Sequence, residues 1–270
     1  MSQSFAEQYI EKDLNAYKMS IHNRPIEYRS CIANGIYMKR QLSYLICLLP
    51  CFLFVVYWCN RPFASTLAER HIDIHMLTPQ QKVNIRKACQ KLNGVVIRPF
   101  RKFSFNECVG PRTAGRGYLE APSYIGGESP STPGGGICVV SSALYQTALQ
   151  SGLKILERVP HLRTMQTVAP GLDATVWYGG ADLKFANDKK TPIEINCNSD
   201  DDSFSLRLDG DKSREPPIKI STREVARTKD QIAVEVFRQD LSGSSLVSRD
   251  LYRLSSKTPT GAKANQAGHN

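Results

Sequence analysis

Acidic side chains, histidine and long apolar runs are all in short supply in this sequence. Asp and Glu number 25 against 35 Lys and Arg, a formal net charge of +10. The shortage is sharpest between Lys82 and Arg116, where nine Lys/Arg face the single acid Glu107. Such a stretch suits an anionic partner (cell-wall polymer, lipid headgroup or nucleic acid), but it equally suits a solvated helix face with its flanks. Charge alone does not choose between them. There are five histidines. Only His71 and His75, with Asp73 between them, suggest a metal site, and their spacing suits neither a clean strand nor a helix with a third ligand. No metal or other cofactor is expected. There is no internal repeat, which argues against a solenoid. An apolar share of 41% and an aromatic share of 9% are those of a chain that buries a core, not of a disordered one.

The one long apolar run decides the expected compartment. Leu42 to Cys59 is 18 residues without a charge, close to the lower limit for spanning ~30 Å of hydrocarbon as a helix. Lys39 and Arg40 stand before it, so the positive-inside rule places the N-terminal side in the cytoplasm and the chain after Asn60 outside. The run has no polar face, which argues against a buried core helix, and Pro50 is better tolerated in a membrane helix than in a soluble one. A second reading starts at Met38: Lys39-Arg40 and the apolar run then form a signal peptide, with small residues at Phe63-Ala64-Ser65 and a misplaced start upstream. Either reading puts the globular part at or beyond the cell membrane, as a single-pass or an exported protein.

Six segments follow: 1–41 cytoplasmic, 42–59 membrane helix or signal-peptide core, 60–98 juxtamembrane stretch and helix, 99–200 core, 201–254 β-rich extension, and 255–270 disordered tail. Thr78-Pro79-Gln80-Gln81 is a helix start with N-cap, N1 proline and capping-box glutamine. Ile85, Cys89 and Leu92 recur at helical spacing, and Asn93-Gly94 stops the helix. Strands are expected at 95–97, 102–109, 155–159, 174–178, 182–186, 192–197, 203–208, 232–238 and 246–254, the last two joined through Ser242–Ser245. The class is α+β, a mainly antiparallel sheet with a Gly-rich loop leading into a central helix.

That loop and helix hold the chemistry. Pro133-Gly134-Gly135-Gly136-Ile137-Cys138 allows backbone conformations closed to other residues and close approach of a substrate or another chain segment. The helix runs from about Ile137 to Gln150. Val140, Ala143, Leu144, Thr147 and Ala148 form its core stripe, with Cys138, Ser141, Ser142 and Tyr145 on the other side. Cys138 therefore sits in the first turn beside backbone N–H groups. That placement favours a thiolate and can hold a developing oxyanion, two requirements of a nucleophile acting on a carbonyl. Two plainer roles stay open: a small buried hydrophobe, or one half of a disulfide among Cys89, Cys108, Cys138 and Cys197. A nucleophile needs a base. His161 is the only histidine between Cys138 and the tail, and Asp173 and Asp182 are candidates to orient it.

Several of these residues resemble one family. Phe103-Ser104-Phe105-Asn106, Val109-Gly110-Pro111-Arg112-Thr113, Gly117-Tyr118, Gly134-Gly135-Gly136-Ile137-Cys138, Val140-Ser141-Ser142, Leu144-Tyr145, Gly152-Leu153, Glu157-Arg158 with Pro160-His161, and Asp173-Ala174-Thr175-Val176 are similar, in order, to VanW-domain proteins. The resemblance covers about 100–200. It implies exported proteins working on peptidoglycan stem peptides, with L,D-transpeptidases among them that use the cysteine matching Cys138. The expected catalytic set is Cys138, His161 and Asp173, and Gly134, Gly135, Gly136, Ser141 and Ser142 form the expected substrate and oxyanion loop. The sequence departs from the family at Val139, where Gln is usual. An amide there can donate to substrate or oxyanion, and Val139 cannot. Three functions remain in view: cysteine acyl transfer on stem peptides, peptidoglycan binding or scaffolding without catalysis, linked to glycopeptide resistance, and nucleic-acid binding, which conflicts with export.

Overall fold

The computed structural model describes residues 48–54, 63–123, 131–165, 167–211 and 218–254. Most of the apolar run Leu42–Cys59, the signal-peptide alternative, segment 1–41 and the tail from 255 lie outside the described residues. Residues 48–54 are helical. Among the described residues no helix is long and apolar enough to cross a membrane.

The rest is α+β. Strand β1 (Ser65–Asp73) is followed by helix α1 (Pro79–Leu92), β2 (Val95–Ile97), β3 (Lys102–Ser104), the short helix α2 (Phe105–Val109), β4 (Glu120–Pro122) and β5 (Ser131–Pro133). Helix α3 (Ile137–Gln150), β6 (Lys154–Glu157), β7 (Lys184–Ala186), β8 (Ile193–Ser199) and β9 (Ser203–Gly210) come next. The meander β10 (Lys219–Arg227), β11 (Gln231–Asp240) and β12 (Gly243–Arg253) ends the fold. The sheets run β1-β9-β8-β2, β3-β7-β6, β4-β5 and β10-β11-β12, and every ladder is antiparallel.

Helix α1 begins as its residues dictate. The Thr78 hydroxyl accepts from the Gln81 N–H at 3.3 Å, and the Gln81 amide oxygen accepts from the Thr78 N–H at 3.0 Å, a complete capping box. Its buried face (Ile85, Ala88, Cys89, Leu92) lies on β8 and α3.

Four expectations need correction. The strand predicted over 102–109 is a strand only to Ser104, because Ser104 caps a helix: its Oγ accepts from Glu107 N at 3.1 Å. Serine three residues before glutamate is a helix-start signal inside a β-like stretch. No strand forms at 174–178, since its backbone groups pair elsewhere. Ala174 N donates to Ser142 Oγ at 2.9 Å, Thr175 N to Val159 O at 2.8 Å, and Trp177 N to Ala181 O at 3.0 Å. The stretch read as juxtamembrane contains β1, which pairs with β9 along its length. Helix α3 does not have one buried stripe. It is buried all round from Ile137 to Leu149 except at Cys138, which is half-buried. One side packs on α1, β1 and β9. The other is covered by the irregular segment after His161, which puts Ser141, Ser142 and Tyr145 in the interior.

Candidate functional site

The Gly-rich loop brings the start of α3 against its neighbours more closely than side chains allow. A Cβ on Gly135 would lie 2.2 Å from the Ala121 carbonyl oxygen, and Gly136, the residue that caps α3, has φ +97. Both demand glycine. The loop is tied to α1 by Asn84, whose amide donates to Gly135 O at 3.0 Å and Leu119 O at 2.9 Å. Cys138 thus emerges in the first turn of the helix, where Ile137 N donates to Gly134 O at 3.2 Å and Val139 N to Gly136 O at 3.1 Å. Its sulfur lies 3.8 Å from Val176 O and faces a cleft of about 330 Å³.

His161 and Asp173 converge on it. His161 is 3% exposed and Asp173 2%. Asp173 Oδ2 lies 2.6 Å from His161 Nδ1 and also accepts from the His161 backbone N–H at 2.6 Å, which fixes the ring. Nε2 is left to serve the sulfur, and Cys138 and His161 are hydrogen-bonded. Burial alone would lower the imidazole pKa, but the hydrogen bonds to Asp173 and Cys138 and their charges outweigh it and raise it to about 9. Burial likewise opposes ionisation of Asp173, and the hydrogen bond from His161 and the charge of Arg158 overcome it, holding its pKa below the usual carboxylate range. A cysteine, an imidazole and a carboxylate in that order can generate a nucleophilic sulfur, the imidazole taking the thiol proton, and return that proton to a leaving group.

Of the two candidate orienters, Asp173 is the one on His161. Asp182 instead accepts from Ser104 Oγ at 2.6 Å and from Asn106 N at 2.9 Å, holding the start of α2. The loop Gly134–Gly136 lines the cleft, but Ser141 and Ser142 do not. Ser141 Oγ donates to Ala174 O at 2.7 Å and Ser142 Oγ to Cys138 O at 2.6 Å, so these hydroxyls fasten the segment carrying Asp173 to the helix carrying Cys138. The Val139 side chain is 1% exposed and belongs to the core, so its difference from the usual Gln is first a packing difference. His71 pairs with Glu69 and His75 with Asp73 at the exposed surface, and no metal-ligating cluster occurs among the described residues.

The described cysteines are free, with no disulfide at Cys138. Cys89 and Cys197 are both buried and hydrogen-bonded to each other, and that bond and burial push the Cys197 thiol well up. Cys108 donates to Lys91 O at 3.4 Å.

Three residues of the site were missed from sequence. Arg158 crosses behind Asp173, donating from Nη2 to its Oδ1 at 2.9 Å, from Nε to its carbonyl at 2.7 Å and from Nη1 to Asp250 at 2.6 Å. Tyr252 donates to Asp173 Oδ1 at 2.6 Å. Asp250 and Tyr252 lie on β12, some eighty residues on, and no local pattern announces them. Arg158 did carry a signal, as a lone cation in a β-like run directly before Pro160-His161.

Comparison with known proteins places this geometry. Residues 80–208 match the family described as VanW like protein. The chain is 42% identical over 114 residues to YoaR of Bacillus subtilis (strain 168), covering 42% of this chain and 38% of that protein. It is 27% identical over 165 residues to the vancomycin B-type resistance protein VanW of Enterococcus faecalis (strain ATCC 700802 / V583), covering 59% of this chain and 60% of that protein. The chain therefore spans less than two thirds of either relative. No solved structure matches. The matched span contains Cys138, His161 and Asp173 together, and over residues 80–208 the chain is similar to the family described as VanW like protein.

Proposed function

We propose that this protein is a cell-envelope cysteine acyltransferase acting on peptidoglycan stem peptides. The observation that carries the reading is the chain of contacts from Cys138 to His161 to Asp173 at the wall of an open cleft. The Cys138 sulfur attacks a peptide carbonyl carbon and forms a thioester. His161 gives its proton to the departing nitrogen as the C–N bond breaks. An acceptor amine, or water, then attacks the thioester carbonyl and passes a proton to His161, and the C–S bond breaks to restore the sulfur. Asp173 holds the imidazole in the productive tautomer throughout. The Cys138 N–H faces the oxyanion, those of Ile137 and Val139 being bonded to Gly134 O and Gly136 O. The name of one relative, a vancomycin resistance protein, agrees with a wall substrate. Lys39 and Arg40 before the apolar run 42–59 support an outer location for the site.

The test is mass spectrometry of the purified protein incubated with muropeptides. A thioester adduct on Cys138, absent in Cys138→Ala and His161→Ala, is the expected result. Binding of muropeptides without any adduct or turnover would overturn catalysis and leave wall binding. A reporter fused after Asn60 is expected to be active outside the cytoplasm, and a cytoplasmic signal would overturn the envelope assignment.

A further inference from the structure

Two arginines approach the site, and their surroundings differ. Arg158 is buried and satisfied by two carboxylates, Asp173 and Asp250. Arg112 is half-buried, lines the same cleft as Cys138 and His161, and has no ion-pair partner among the described residues. A desolvated cation without a counter-charge is costly unless something supplies one.

Arg112 is nevertheless firmly placed. Its Nη1 donates to Asn106 Oδ1 at 2.6 Å, and its guanidinium carbon lies 5.4 Å from the centre of the Phe105 ring. Its stem lies so close to the loop that a Cβ on Gly134 would be 2.8 Å from its own Cβ. Asn106 is in turn fixed, its amide donating to Trp177 O and Ala181 O, both at 3.0 Å, and its backbone N–H to Asp182. Ser104, Asn106 and Asp182 therefore end in one result, a guanidinium held still at the cleft. The second terminal nitrogen, Nη2, is buried and has no hydrogen-bond partner among the described residues. Burial pulls the Arg112 pKa down, and Cys138 is the strongest of the charges opposing that. The guanidinium is thus within electrostatic reach of the sulfur.

We propose that Arg112 is the carboxylate-recognition residue of the cleft, pairing with a free carboxylate of the peptide that Cys138 attacks. A guanidinium matches a carboxylate in geometry and charge. This rests on the acyltransfer reading and adds to it the residue that selects the substrate by its charge.

Two measurements on the full chain separate this proposal from the reaction itself. The first compares alkylation of Cys138 by iodoacetate, which carries a carboxylate, with that by neutral iodoacetamide. Arg112→Gln is expected to lower the iodoacetate-to-iodoacetamide rate ratio about tenfold, the value of one charge-assisted contact worth ~1.4 kcal/mol. Arg112→Lys, which keeps the charge without the fork, is expected to fall between. An unchanged ratio in a folded Arg112→Gln overturns the proposal, as does full retention of the ratio in Arg112→Lys, which would assign the effect to charge alone. The second compares acylation by a tetrapeptide ending in a free acid with that by its C-terminal amide. The wild type is expected to prefer the acid, and Arg112→Gln to lose the preference through KM. If neither peptide acylates Cys138 while the iodoacetate preference stands, the carboxylate site is retained and the peptide reaction is what fails.

Discussion

At the scale of the residue, the Cys138–His161 pair turns on one proton. The His161 pKa is raised to about 9, so the imidazole is protonated at neutral pH. Alkylation of Cys138 by iodoacetamide is expected to change through pH 9 as that proton leaves. Asp173→Asn removes the carboxylate that raises the pKa and leaves burial, which lowers it, so the inflection is expected to move to lower pH. An inflection that stays put in Asp173→Asn would show that the carboxylate does not set the titration. The same sign governs stability. A raised histidine pKa stabilises the fold fully below the unfolded value of ~6.5, and that contribution is lost as pH rises through about 9. Cys89 and Cys197 are expected to resist labelling at neutral pH, buried and bonded to each other as they are. Cys138→Ala, at a half-buried position, is expected to cost about 1 kcal/mol or less in chemical denaturation.

At the scale of the element, α3 and the irregular segment after His161 work as one unit, joined by two serines. Ser142 Oγ accepts from Ala174 N and donates to Cys138 O, so it ties the Cys138 backbone to the residue after Asp173. Ser142→Ala leaves the buried Ala174 N–H without an acceptor and is expected to cost about 1–3 kcal/mol in denaturant titration. It is also expected to slow Cys138 alkylation; unchanged kinetics would mean the serine stabilises without positioning. The sequence disclosed Cys138, His161 and both possible orienters, because a glycine run, a capped helix and a scarce histidine are local signals. Helix α1 was legible for the same reason, in Thr78, Pro79 and Gln81. It did not disclose the serines' role, since a helix buried on every side has no polar face for periodicity to find. Nor did it disclose β10, whose residues are nearly all exposed and so carry no alternation. The strand expected at 174–178 failed because Ser141 and Ser142 offered its backbone the partners a ladder would have given.

At the scale of the whole molecule, the site is completed from outside the span that matches the family. That span ends at residue 208, whereas Tyr252 and Asp250 stand on β12 of the C-terminal meander. The buried Tyr252 hydroxyl makes three bonds: it donates to Asp173 Oδ1 at 2.6 Å and accepts from Gly171 N at 2.8 Å and Arg158 Nη2 at 3.0 Å. One oxygen thus braces the carboxylate, the arginine behind it and the turn that leads into Asp173. Tyr252→Phe keeps the ring and its packing but leaves the Gly171 N–H and the Asp173 carboxylate each short of a partner. It is expected to cost about 1–3 kcal/mol in denaturant titration. A meander that only packs against the core would give that loss and nothing else. A meander that positions the site would also make the loss depend on Asp173. Tyr252→Phe and Asp173→Ala together are therefore expected to fall short of the sum of the single losses by about 0.5–3 kcal/mol. Tyr252→Phe alone is further expected to slow acylation of Cys138 more than its binding of muropeptides, because the ring it steadies belongs to the proton transfer and not to recognition. Simple additivity, with acylation and binding untouched, would reduce β12 to a structural strand.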